Sequence, residues 1–281
     1  MIQLLKPGHA ALEPVTLEEI RESPQTLRKA LWIDLIHPAT EEEHFVESTL
    51  GINVPSREEM HEIEASSRLF EERGALYLSC WLLSFESPIP VNSSVTLVIT
   101  REQVISIRYS DHHAFRIFNA TRNRLQNRQF QSSTQAAAEL LEAMVGHIAS
   151  NLRLIEQDLN GLANVIFAEQ KAQKKSNQAL GLKTVVQRLG KRNSLVASLR
   201  ESAVSLSTLT SFFTTCADWL PPAIAGQLNT LERDILSLRQ YNDELSEEIS
   251  FLLDSTVGLI NYEQNQTVKF LSIAAVLVAL I

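Results

Sequence analysis

The last sixty or so residues limit what this chain can become more than any other stretch. From about Gln227, Leu231, Ile235, Leu238, Leu245, Ile249, Leu252 and Leu259 recur at three- and four-residue steps. That spacing draws one apolar stripe along a long helix that packs lengthwise on other helices. Asn242 and Thr256 are the two polar positions in the stripe, and no proline interrupts it. Near Asn265 the character changes: Phe270 to Ile281 reads FLSIAAVLVALI, with Ser272 its only polar side chain. A bilayer-spanning helix needs about 20 apolar residues, and roughly a dozen stand here. The expectation is an acidic stalk that runs into the start of a membrane helix. A buried C-terminal core helix is the alternative.

Length and charge narrow the rest. At 281 residues there is room for about two domains. A hydrophobic fraction of 44% supports a core, and a net charge of −8 argues against a general nucleic-acid binder while fitting a surface that meets cations. Cys80 and Cys216 make neither a disulfide framework nor a metal motif, and Cys80 sits in an apolar strand as a small buried hydrophobe. The N-terminus, MIQLLKPGHAALEP, has no basic segment followed by a long apolar run, so no signal peptide is expected. Lys269 and the basic cluster from Lys171 to Arg192 fit a cytoplasmic side for residues 1–267.

Residues 1–130 read as a mixed α/β domain with a small mixed sheet. Leu31 to Ile36 is a strand ended by Pro38; Thr40 caps a helix with Glu41, Glu42 and Glu43 in its first turn, and Gly51 ends it. Pro55-Ser56 opens a short helix to about Glu64. Ala75 to Phe85 is a strand, and Val95 to Thr100 with Val104 to Tyr109 form a hairpin. Residues 131–222 form a long helical hairpin. Leu141, Met144, Ile148, Ile155, Leu159, Leu162 and Ile166 mark one face; Leu182, Val186, Leu189, Val196, Leu199, Ala203 and Leu206 mark the other. Its tip, Lys171 to Asn177, is polar and basic. Trp219-Leu220-Pro221-Pro222 breaks the pattern, the stalk helix follows over 223–267, and the membrane segment over 268–281. The fold class is therefore α+β: a sheet domain, then long helices.

Enzyme signatures are missing. Asp111-His112-His113 is the one dense titratable cluster, but adjacent histidines point apart, and exposed loop histidines are the simpler reading; His61 and His147 could join them only through the fold. Gly190-Lys191-Arg192 lacks the upstream glycine and the Ser/Thr of a phosphate loop, and no serine sits in a Gly-x-Ser-x-Gly elbow. No catalytic residue is assigned. The acidic residues of the final helix, Glu232, Asp234, Asp243, Glu244, Glu247, Glu248 and Asp254, read as a solvated face or as oxygen ligands for hydrated divalent cations.

Three stretches together resemble the CorA family of divalent-cation transporters, above all its enterobacterial magnesium/cobalt branch. They are Trp32-Ile33-Asp34-Leu35 with Pro38 and Leu50-Gly51; Glu62 to Glu71; and Gly258 to Asn265, then Lys269 and the apolar rod. The resemblance implies a homopentamer in the inner (cell) membrane, with five stalk helices around an axial ion path. It implies that Mg2+ is transported and also regulates, and that Co2+ or Ni2+ are carried too. A Zn2+-transporting relative, or a membrane-tethered helical scaffold, is the alternative. Acidic residues between protomers would bind divalent ions and hold the ring closed; without the ions their charges repel. Glu62 falls at the family's N-domain sensor position, with Glu232 and Asp234 as the partner's side. Asn265 matches a polar ring at the pore entrance, and Val268, Leu271 or Ser272, Ala275 and Ala279 follow on the same face. The family's Gly-Met-Asn mouth, its second membrane helix and the proline pair of related chains have no counterpart here, so the chain reads as the cytosolic domain plus part of the first membrane helix.

Overall fold

The computed structural model describes residues 1–9, 11–61, 68–84, 90–124, 129–168 and 178–279. Seven strands form one mixed sheet in the order β2-β1-β3-β7-β6-β5-β4. They are β1 (Ile2–Leu5), β2 (Glu13–Val15), β3 (Trp32–Ile36), β4 (Leu69–Glu72), β5 (Ala75–Ser84), β6 (Val91–Ile99) and β7 (Val104–Arg108). The pairing of β3 with β7 is parallel, and every other pair is antiparallel. β3 and β7 lie mid-sheet with both faces covered, which is why they read as nearly unbroken apolar runs.

On one face, α1 (Leu17–Glu22), α2 (Pro24–Lys29) and α3 (Thr40–Leu50) cover a core that contains Ile20, Leu27, Val46, Ile33, Leu35 and Ile105. α1 starts with a reciprocal cap: Glu19 N–H donates to Thr16 Oγ1, and Thr16 N–H donates to the Glu19 carboxylate. α3 begins one residue earlier than expected. Ala39 is its N-cap, with no side chain to offer, and its N–H donates to Glu42 Oε2, which also takes the Met1 ammonium. Gly51 ends the helix with φ 71°, the left-handed conformation a glycine adopts without a Cβ penalty. The short helix expected after Ser56 is a single 3₁₀ turn, Glu59–His61, and its continuation to Glu64 lies outside the described residues.

On the other face, α4 (His113–Arg124) sets Phe115 and Phe118 against Trp32, with ring centroids 6.0 and 5.0 Å apart. Three long helices follow: α5 (Ser133–Ala168), α6 (Gln178–Cys216) and α7 (Pro222–Ala279), the last with proline at its first position, where the missing N–H is no loss. The hairpin tip at Lys171 to Asn177 lies outside the described residues.

The chain divides into two compact units. The first, Met1–Ser150 with Ser198–Arg239, joins the sheet to helix by side-chain hydrogen bonds. Ser205 Oγ accepts from the Trp81 N–H, and Asn92 Nδ2 donates to the Ser198 carbonyl and to Glu201. The second, Asn151–Ala197 with Gln240–Ile281, is a three-helix unit. Its core holds Ile155, Leu159, Leu162 and Ile166 from α5, Leu182, Val185, Leu189 and Val196 from α6, and Leu245, Ile249 and Leu252 from α7. Val185 takes the buried place the sequence pattern gave to Val186, which is only half-buried. Asp158 of α5 accepts from both Arg188 and Arg192 of α6.

Candidate functional site

The first quoted stretch, Trp32 to Leu35, builds a buried polar network. Side chains alternate along a strand, so Trp32 and Asp34 share one face of β3 while Ile33 and Leu35 share the other. The parallel register sets Ser106 opposite Asp34 and Arg108 opposite Ile36. Asp34 is 0% exposed. Arg108 donates to it through Nε at 3.2 and 3.3 Å and through Nη2 at 2.8 Å, and Ser106 Oγ adds a bond of 2.5 Å. Trp32 Nε1 donates to Ser106 Oγ, and the Arg108 guanidinium lies 4.3 Å from the Phe115 ring centroid. All this is fully enclosed. It binds the middle of the sheet to α4.

Of the carboxylates assigned by resemblance to an ion sensor, two lie among the described residues. Glu62 lies outside the described residues. Glu232 and Asp234 stand on the α7 segment of the first unit, Glu232 half-buried and Asp234 exposed. Among the described residues, no group of three or more His, Cys, Asp or Glu side chains is close enough to hold a metal ion.

The assigned pore positions occupy the end of α7. At 3.6 residues per turn, Asn265, Val268, Ser272, Ala275 and Ala279 fall within an arc of about 80°, and Leu271 lies beside it. All six are exposed in the single chain. So are their apolar neighbours, Phe270 at 73% among them. Ser272 Oγ donates to the Val268 carbonyl at 2.9 Å, which satisfies the hydroxyl within the helix. Among the described residues no helix is long and apolar enough to cross a membrane. Below this segment, burial pushes the Tyr241 phenol up to about 12, helped by its hydrogen bond to Glu156. Burial and the nearby Glu156 also raise the Glu248 carboxyl.

Of the two adjacent histidines, His113 is exposed as expected and His112 is not. His112 is 1% exposed, its ring within 3.3 Å of Ser93 Oγ and 3.4 Å of the Leu83 carbonyl, and His113 opens α4. His113 does meet His147 of α5, with ring centroids 5.3 Å apart. Burial, then the charge of His113 and Arg116, pushes His147 down to about 4. Nothing in the local sequence marks these contacts, because α4 and α5 meet only in the fold. The Cys80 thiol, fully enclosed, is pushed up by burial to about 12, which makes it inert.

A family model described as CorA-like Mg2+ transporter protein matches residues 28–280. The chain belongs to this family. The match takes in β3 with its Asp34 network and the long helices to the end of α7. A relative from Mannheimia succiniciproducens, the magnesium transport protein CorA, is 30% identical over 269 residues, covering 95% of this chain and 82% of its own length. The complete structure of the CorA magnesium transporter from Methanocaldococcus jannaschii superposes with a TM-score of 0.73 at 16% identity, covering 98% of this chain and 82% of that one. The cytoplasmic domain of ZntB from Vibrio parahaemolyticus shares the fold at a TM-score of 0.60 and 12% identity, covering 84% of this chain and 88% of that one. CorA proteins are transporters, and the chain is accordingly a transporter-family protein rather than an enzyme.

Proposed function

We infer that the protein carries magnesium across a membrane as a CorA-type channel. The observation that carries this reading is the family match running from the sheet domain to the end of α7, together with a 30% identical relative named for magnesium transport. The arrangement of α7 supports it. Its polar, acidic length leads without a break into an exposed apolar end whose Asn265 face is ready to line an axis between helices. In this reading five copies surround the path, the protein sits in the inner membrane, and residues 1–267 are cytoplasmic. Asn265 forms an amide ring at the entrance, which can hold the first-shell waters of a magnesium ion; Val268, Leu271 or Ser272, Ala275 and Ala279 line the apolar stretch beyond it, where dewetting can gate.

Glu62 of one copy and Glu232 and Asp234 of its neighbour form the regulatory Mg2+ site. Magnesium bound there favours the closed ring and shifts the population toward it, and loss of the ion loosens the ring by charge repulsion. Co2+ and Ni2+ would follow the same path. The resemblance to ZntB is one of fold alone and gives zinc less support than magnesium receives. The test is complementation. Cells without their own magnesium uptake, carrying the protein expressed from its native reading frame, should grow on limiting Mg2+. Growth rescued by zinc and not by magnesium would move the reading to the zinc branch, and no rescue by either would favour a membrane-tethered scaffold.

A further inference from the structure

The apolar stripe of α7 contains a polar residue at a fully buried position. Asn242 is 1% exposed in the three-helix unit. Its Nδ2 donates to the Val196 carbonyl of α6 at 2.9 Å, while its Oδ1 is buried without a hydrogen-bond partner. An amide oxygen left unpaired away from water destabilises the fold. The second polar stripe residue behaves differently. Thr256 Oγ1 donates to Leu252 of its own helix at 2.6 Å, so its bond is indifferent to where the neighbouring helix stands.

The rest of the stripe carries no such distinction. Leu245, Ile249, Leu252 and Leu259 repeat at heptad spacing, so a shift of one heptad along α6 again sets apolar against apolar. One heptad is about 10 Å of axial travel. A buried asparagine at one stripe position is a known way for helices to choose a single register at some expense of stability. We propose that Asn242 is a register lock: its bond to Val196 holds α7 at one axial position against α6 and excludes the heptad-shifted packing. The unpaired Oδ1 is the cost of that choice. The lock lies at the α6–α7 contact, beside the bond of Tyr241 to Glu156 of α5, and holds whichever ion the protein carries.

The test uses the full chain in detergent, with Cys216→Ser and nitroxide labels at Lys191→Cys and Glu247→Cys, both on exposed faces of the same unit. Labelled protein is diluted into unlabelled protein so that only distances within a chain are read. The Asn242 protein should give one distance. Asn242→Leu should unfold at a higher temperature and show a second population, its label displaced by up to about 10 Å along the helix. Thr256→Val, the same kind of change without a bond between helices, should keep the single distance. A single unchanged distance in Asn242→Leu would overturn the lock. So would a lower unfolding temperature or failure of that variant to fold, because either would make Asn242 an ordinary packing residue.

Discussion

Removing the Asp34 carboxylate should be among the most damaging single changes in the protein. Asp34→Ala leaves the Arg108 guanidinium buried with the Ser110 carbonyl at 3.2 Å and Asp111 at 3.7 Å, and takes away the three contacts that Asp34 supplied. It also strips Ser106 Oγ, which accepts from the Trp32 indole N–H, of its own acceptor. Breaking one partner out of a buried ion pair costs about 3–5 kcal/mol, and here the remaining charge keeps only the Ser110 carbonyl and the more distant, exposed Asp111. For a unit of this size that lowers the unfolding temperature by roughly 6–20 °C. Differential scanning fluorimetry and urea unfolding, followed through tryptophan emission, report it directly because Trp32 is part of the network. Asp34→Asn, which keeps the shape and loses the charge, should fall between the two. A loss below about 1 kcal/mol in Asp34→Ala would refute the claim that this pair is desolvated and mutually dependent.

Gly51→Ala places a Cβ on a residue at φ 71° with no atom within 4 Å of it, so the cost is conformational alone, about 1 kcal/mol; an unchanged melting temperature would contradict it. His147, pushed down to about 4 when folded, is held neutral by burial, so its contribution is complete above its unfolded value of 6.5 and is lost as pH falls toward 4. Acidifying from about pH 7 to about pH 5 should therefore cost on the order of 2 kcal/mol, and His147→Asn should flatten that slope in a pH-melting series. Glu62→Ala combined with Asp234→Ala should reduce the protection that magnesium gives against limited proteolysis; undiminished protection would remove both from the regulatory site.

The stretches whose structure is set by neighbours in sequence were legible in advance. The α7 stripe, the buried faces of α5 and α6, the break at Pro221-Pro222 and the Gly51 stop depend on spacing or on one residue's backbone freedom, and apart from the exchange of Val186 for Val185 they are found where the pattern put them. What stayed hidden depends on contacts across the fold. β1 and β2 are too short for periodicity, and Pro14 stands within β2, an edge strand where its missing N–H is tolerated. Gln103, between the two hairpin strands, is buried and donates to the Leu27, Arg28 and Ala30 carbonyls at the end of α2. The cap of α3 comes from Glu42 rather than Thr40, and His112 is buried although it stands on a loop. The same division holds at the candidate site. Helical spacing shows that Asn265, Val268, Ser272, Ala275 and Ala279 share one face, but that this face lines a path, like the regulatory site shared between copies, rests on resemblance.

Magnesium flux through the purified protein tests the central claim most directly. The protein expressed from its native reading frame, reconstituted in vesicles loaded with a magnesium-sensitive dye, should admit Mg2+ down its gradient, and Asn265→Ala should change that flux without lowering the melting temperature. Vesicles that stay impermeable to Mg2+ while the protein is folded and inserted would contradict the account, and an unaltered flux in Asn265→Ala would show that another face of α7 lines the path.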